Sequence, residues 1–146
     1  MKLALAAAAA LTLAATAAHA APKVSAAWSR PAAQGSTGAG YMTLSNAGPA
    51  DALVAVESPL SGHVMIHQSA VANGMASMKM VDRVPVATGR SVTFAPGGYH
   101  LMFMGLTRAL GVGDTLPATL VFASGARVKA SFVVGLAPPV AAPARK

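Results

Sequence analysis

The chain has 146 residues, 11 Lys or Arg against 4 Asp or Glu for a formal net charge of +7, and no cysteine. The missing thiols exclude disulfide staples, Cys nucleophiles, thiolate metal sites and the Cys-ligated blue-copper centre of an electron carrier. The positive charges are scattered and not interleaved with aromatics, so nucleic-acid binding is supported by the sign of the charge alone.

Met1-Lys2 is followed by an alanine-rich apolar run from Leu3 to Ala18. Ala18-His19-Ala20 then supplies a small-x-small site for cleavage before Ala21. This is the three-part pattern of a secretory signal peptide over residues 1–20. As a membrane anchor the run is short, poor in large apolar side chains and ended by His19 and Pro22. The expected mature product, about 126 residues from Ala21, contains no second stretch long enough to cross a bilayer, and is expected to be soluble, periplasmic and monomeric. Ten basic residues then face Asp51, Glu57, Asp82 and Asp114. One domain of this length can close a core without disulfides.

From Ala21 onward, short apolar runs are punctuated by Gly, Pro, Asn and Ser, the pattern of an all-β domain. The alternation predicts nine strands, over 24–28, 40–46, 52–58, 63–68, 75–81, 91–94, 99–104, 115–122 and 127–134. Turns are expected at Asn46-Ala47-Gly48-Pro49, Ser58-Pro59, Asn73-Gly74, Pro96-Gly97-Gly98 and Ser124-Gly125, where the residues favour reversal or interrupt a ladder. Nine short strands at this spacing imply a β-sandwich or Greek-key barrel over residues 21–136. The Pro/Ala-rich tail, 137–146, is expected to be extended or disordered.

Three of the four histidines and six of the eight methionines fall between His63 and Met104. Imidazole and thioether concentrated in a β domain without acidic clusters point to a soft metal, although a strand methionine is more often packing. His100 and Met102 stand two apart, so both leave one strand face while Leu101 and Phe103 leave the other. His67 at the end of an earlier strand and Met78 in the next could meet them across a sheet. Two neutral imidazoles and two thioethers form an uncharged set suited to Cu(I); Zn(II), Ca(II) and Mg(II) favour anionic or oxygen ligands. His63 and Met65 share the face of His67, which admits a reserve position, but ordinary facing positions account for them. Met80 and Met104 read as packing or a hydrophobic rim, and Trp28 and Tyr99 as core or rim aromatics.

The spacing His67, ten residues, Met78, twenty-one residues, His100, one residue, Met102 resembles the H(M)x10Mx21HxM motif of the periplasmic copper chaperones called PCu(A)C. The segments Gly40 to Asn46, Met78-Lys79-Met80, Pro96 to Leu106 and Gly113-Asp114 are similar to further signatures of that family, so the resemblance covers roughly Val24 to Val134. It implies a cupredoxin-like β-barrel and one Cu(I) held by His67, Met78, His100 and Met102. It also implies delivery of that ion to a partner in cytochrome c oxidase assembly, the apo copper subunit or a Sco-type protein. Gln68 and Ser69 stand where many relatives have Glu and Met, and the tail lacks the His and Met with which some bind Cu(II). Copper sequestration in the periplasm, or a metal-free β-sandwich interaction module, are the competing readings. An enzyme is disfavoured, since the four carboxylates are dispersed and four protein ligands leave no open coordination position.

Overall fold

A computed structural model describes residues 19–140. Most of the expected signal peptide, residues 1–18, and the end of the tail, 141–146, lie outside the described residues. Among those described there is no helix, hence none long and apolar enough to cross a membrane. The strands are β1 (Lys23–Ser29), β2 (Gly38–Asn46), β3 (Asp51–Glu57), β4 (Ser61–Ala72), β5 (Met75–Met80), β6 (Val84–Val86), β7 (Arg90–Phe94), β8 (Tyr99–Leu106), β9 (Thr115–Phe122) and β10 (Arg127–Val134).

They hydrogen-bond in the order β5-β4-β8-β7-β2-β1-β10-β9-β3-β6, with β8 also pairing β2. The sheet folds over on itself, so that β8 meets β10 and β4 meets β3 across the core. The architecture is all-β and cupredoxin-like, as the resemblance implied. Inward positions of both layers meet in one core, where the rings of Phe103 from β8 and Phe132 from β10 cross edge to face at 5.6 Å. Leu101, Phe103, Leu116, Leu120 and Phe132 are fully buried; each such side chain contributes about 1.5–3 kcal/mol of burial. Gly40 is required where β2 crosses this point, because a Cβ there would stand 2.6 Å from Phe103 Cε2.

Two elements differ from the nine-strand expectation. The three-residue β6 carries Pro85 at its centre, which hid it from the sequence pattern; it is tolerated because β6 is an edge strand pairing only β3. Strand β4 runs on to Ala72, so His67 lies within a strand and not at its end. The extension exists because Asn73 (φ 52°) and Gly74 (φ 73°) form a tight reversal with two left-handed residues, the geometry that an Asn-Gly pair adopts most readily. It closes the β4–β5 hairpin with Ala72 opposite Met75.

Asn46 fastens the end of β2. Its buried amide donates to the carbonyls of Val86 (3.0 Å) and Pro49 (2.7 Å) and accepts from the Gly48 N–H (3.0 Å). Asn46→Ala should destabilise the fold by about 1–3 kcal/mol, since it strands these groups without partners. Urea unfolding of the variant measures this, and an unchanged midpoint would show that water replaces the amide freely.

Candidate metal centre

The β4–β8 pairing determines which side chains meet. His67 lies directly opposite His100, Met65 opposite Met102 and His63 opposite Met104. On the other side of β4, Met80 is opposite His67 and Met78 opposite Ser69. Side chains on facing positions share a sheet face, and so do positions two apart. His67, Met78, His100 and Met102 therefore project from one outer face of three neighbouring strands, while Ile66, Leu101 and Phe103 enter the core from the reverse face. All four residues proposed from the sequence are brought together. All four lie within strands, on the sheet face.

Within the cluster, the imidazoles of His67 and His100 meet edge to face with centroids 5.6 Å apart. His67 Nδ1 is 3.2 Å from the Met78 sulfur. Metal–nitrogen and metal–sulfur bonds of roughly 2.0 and 2.3 Å at a tetrahedral angle place N and S about 3.5 Å apart, so this pair is already close to a coordination edge. His67 Nε2 is buried with no hydrogen-bond partner. His100 Nδ1 contacts the Gly98 carbonyl at 3.2 Å. That contact favours the tautomer with the proton on Nδ1, which leaves the Nε2 lone pair available for a ligand bond.

Burial pushes the His67 pKa below the ordinary imidazole value, and the neighbouring His100 acts in the same direction. Both effects favour the neutral ring, the form that ligates a metal. Three of the four carboxylates are occupied elsewhere: Asp51 with Ser124, Glu57 with Arg127, and Asp114 with Arg108 at 3.2 Å; the fourth, Asp82, lines the seam beside Met65 and Met80. The donors that His67, Met78, His100 and Met102 bring to this face are nitrogen and sulfur.

Access is uneven around the cluster. His100 is only 6% exposed, whereas Met78 is 58% exposed on the β4–β5 hairpin. A shallow cleft of about 250 Å³ is lined by Tyr41, Ser69, Met78, Pro96, His100 and Met102, with Arg30 at its rim. Sequence reasoning did not single out Arg30 or place Tyr41 here. The Arg30 guanidinium lies over the Tyr41 ring at 5.8 Å, and Tyr41 packs on Trp28 with centroids 4.8 Å apart. A bulge in β1, where Ala26 takes a positive φ of 50° and the register shifts between Ser25 and Trp28, brings Trp28 opposite Tyr41, whose own place on this face follows from the pairing of Ala39 with Met102. Nothing in the strand alternation signals such a bulge. Met65 and Met80 border the neighbouring seam between β3 and β4 together with Asp82.

The fold and the face define a small all-β domain that presents clustered imidazole and thioether groups on a sheet. A family model described as "Putative lipoprotein LpqE-like" matches residues 22–134. The chain belongs to this LpqE-like family and has the fold of PCuAC domains. The copper-bound PCuAC domain from PmoF2 is similar at 25% identity with a TM-score of 0.66, covering 80% of this chain and 94% of that one. CuI-DR1885 from Deinococcus radiodurans is similar at 31% identity with a TM-score of 0.60, covering 82% of each chain. A curated relative from Leifsonia xyli subsp. xyli, "Putative lipoprotein Lxx21020", is 33% identical over 107 residues, 70% of this chain. The match spans 63% of that relative's length.

Proposed function

We propose that this domain is a copper chaperone of the periplasm that binds one Cu(I) through His67, Met78, His100 and Met102 and passes it to an acceptor protein. The observation that carries the reading is the convergence of His67, His100 and Met78, with His67 Nδ1 3.2 Å from the Met78 sulfur and the two imidazole centroids 5.6 Å apart. Copper in the similar PmoF2 domain and Cu(I) in DR1885 support the choice of metal. An uncharged set of two imidazoles and two thioethers suits Cu(I), since a soft monovalent ion needs no anionic ligand for stabilisation. Export is supported by the signal pattern over residues 1–20 and by the lipoprotein description of the family and its relative.

Delivery follows from the unequal exposure of the ligands. The exposed Met78 thioether can be displaced first by an incoming group, while His100 holds the ion from beneath. A thiolate-bearing acceptor, such as the copper subunit of cytochrome c oxidase or a Sco-type protein, is softer and anionic and should draw Cu(I) downhill. Binding is tested by X-ray absorption of the anaerobic Cu(I) form, expected to show two nitrogen and two sulfur neighbours; a shell of nitrogen and oxygen alone would sink the assignment. Mixing the loaded domain with apo acceptor, followed by NMR, should return the His100 and Met102 signals to their apo positions. Copper that stays on this domain against every such acceptor would make sequestration the better description.

A further inference from the structure

We propose that His63, Met65 and Met104 form a second Cu(I) site on the same sheet face, a three-donor station beside the four-ligand centre. This rests on the Cu(I) reading above. The observation behind it is the register of β4 against β8: in three successive facing pairs, His67 with His100, Met65 with Met102 and His63 with Met104, every outward side chain is His or Met. The inward positions of the same strands are Val64, Ile66, Leu101 and Phe103, with no methionine among them. Gap filling in the core explains none of the sulfurs on the outer face, because that face lies away from the core. The four-ligand set uses both members of one pair and one member of the next. Met65, His63 and Met104 remain.

Their placement satisfies what a soft ion requires. His63 and Met104 stand opposite one another, where Cβ atoms are about 4.5–5.5 Å apart, and Met65 is two residues along β4 at roughly 7 Å. Flexible thioether arms close such gaps readily. His63 is exposed and Met65 and Met104 are half-buried, so the donors are reachable from solvent. The Met104 sulfur is already oriented by the hydroxyl of Thr37, the residue just before β2, which donates to it at 3.5 Å and leaves a second lone pair free. Two monovalent ions about 10 Å apart at a protein surface weaken each other's binding by roughly fifteenfold, so the stations are expected to fill in sequence. Three neutral donors bind less tightly than four, which makes this the later site to fill and the earlier to empty. Movement of copper between the stations is ligand exchange alone, through Met65 and Met102, and leaves the ion as Cu(I).

The test is an anaerobic titration of the full chain with Cu(I) supplied as its acetonitrile complex, with methionine methyl and histidine ring signals followed by NMR. The first equivalent should move His67, Met78, His100 and Met102, and the second should move His63, Met65 and Met104 while the exposed Met75 stays in place as an internal control. Met104→Leu and His63→Gln should each abolish the second response and spare the first. A second equivalent that leaves His63 and Met104 unmoved, or that moves Met75 equally, overturns the second site alone. A first equivalent that leaves His67 and His100 unmoved overturns the primary reading instead. If Met104→Leu disturbs packing, His63→Gln at an exposed position still decides the matter.

Discussion

Replacing His67 and His100 together by Gln should lower Cu(I) affinity by more than roughly a hundredfold with the fold retained. Loss of a hydrogen bond to a metal ligand alone costs 10–100-fold, and here two ligands themselves are removed. A hundredfold corresponds to about 2.7 kcal/mol of binding free energy. The fold should tolerate the change because both rings project from the outer face, while the core beneath is made by Ile66, Leu101 and Phe103. Glutamine preserves a polar side chain of similar reach beside the Gly98 carbonyl, so a stability loss within about 1 kcal/mol is expected. Competition against a colorimetric Cu(I) chelator, alongside urea unfolding of the apo protein, separates the two quantities. Undiminished affinity in a folded double variant would remove the imidazoles from the site.

The sequence disclosed the residues of this cluster more clearly than their setting. His100 and Met102 were legible because strand periodicity alone places them on one face, and Leu101 and Phe103 on the other. The Asn73-Gly74 reversal was legible because only a narrow set of residues adopts two successive left-handed conformations. The direct opposition of His67 and His100 was not, since register across β4 and β8 depends on long-range packing that no local pattern encodes. The same holds for Tyr41, placed at the cleft by the β2–β8 register, and for Arg30, which reaches it because the β1 bulge shifts the pairing by one residue. Strand β6 was missed because a proline at the centre of three residues normally argues against a strand, and only its edge position reconciles the two.

The preformed contact of His67 with Met78 also bears on exchange. A site assembled from adjacent strands of one sheet needs little reorganisation on the buried side, because His67 and His100 are held by the β4–β8 ladder. The hairpin side is different: β5 is an edge strand whose six residues are all exposed, so Met78 and Met80 rest on few contacts. If copper binds as proposed, two imidazoles held by the ladder and one exposed thioether leave the ion a single readily displaced ligand.

Acidification should weaken Cu(I) binding in a way that reports each ligand class separately. In the ordinary imidazole range near 6.5, protons begin to compete for histidine, and thioethers do not titrate. The His67 pKa is lowered by burial and by His100, so proton competition at that ring sets in at lower pH than for a free imidazole. Once the His67 ring is protonated in the metal-free protein, competition at that ring alone should cost about tenfold in affinity per pH unit. The decline should then flatten onto weak binding supported by the methionines, and Met78→Leu should lower that floor while preserving volume and fold. The apo protein should respond in the matching direction. A histidine whose pKa is lower folded than unfolded favours the fold at pH values above about 6.5, and this contribution is lost as pH falls through the folded value. His67→Gln should therefore reduce the acid sensitivity of the apo fold as well as copper affinity. Chelator competition and urea midpoints at intervals from neutral to mildly acid pH provide both profiles. A flat affinity profile would exclude imidazole ligation, and complete loss of binding at mildly acid pH would argue against the thioethers.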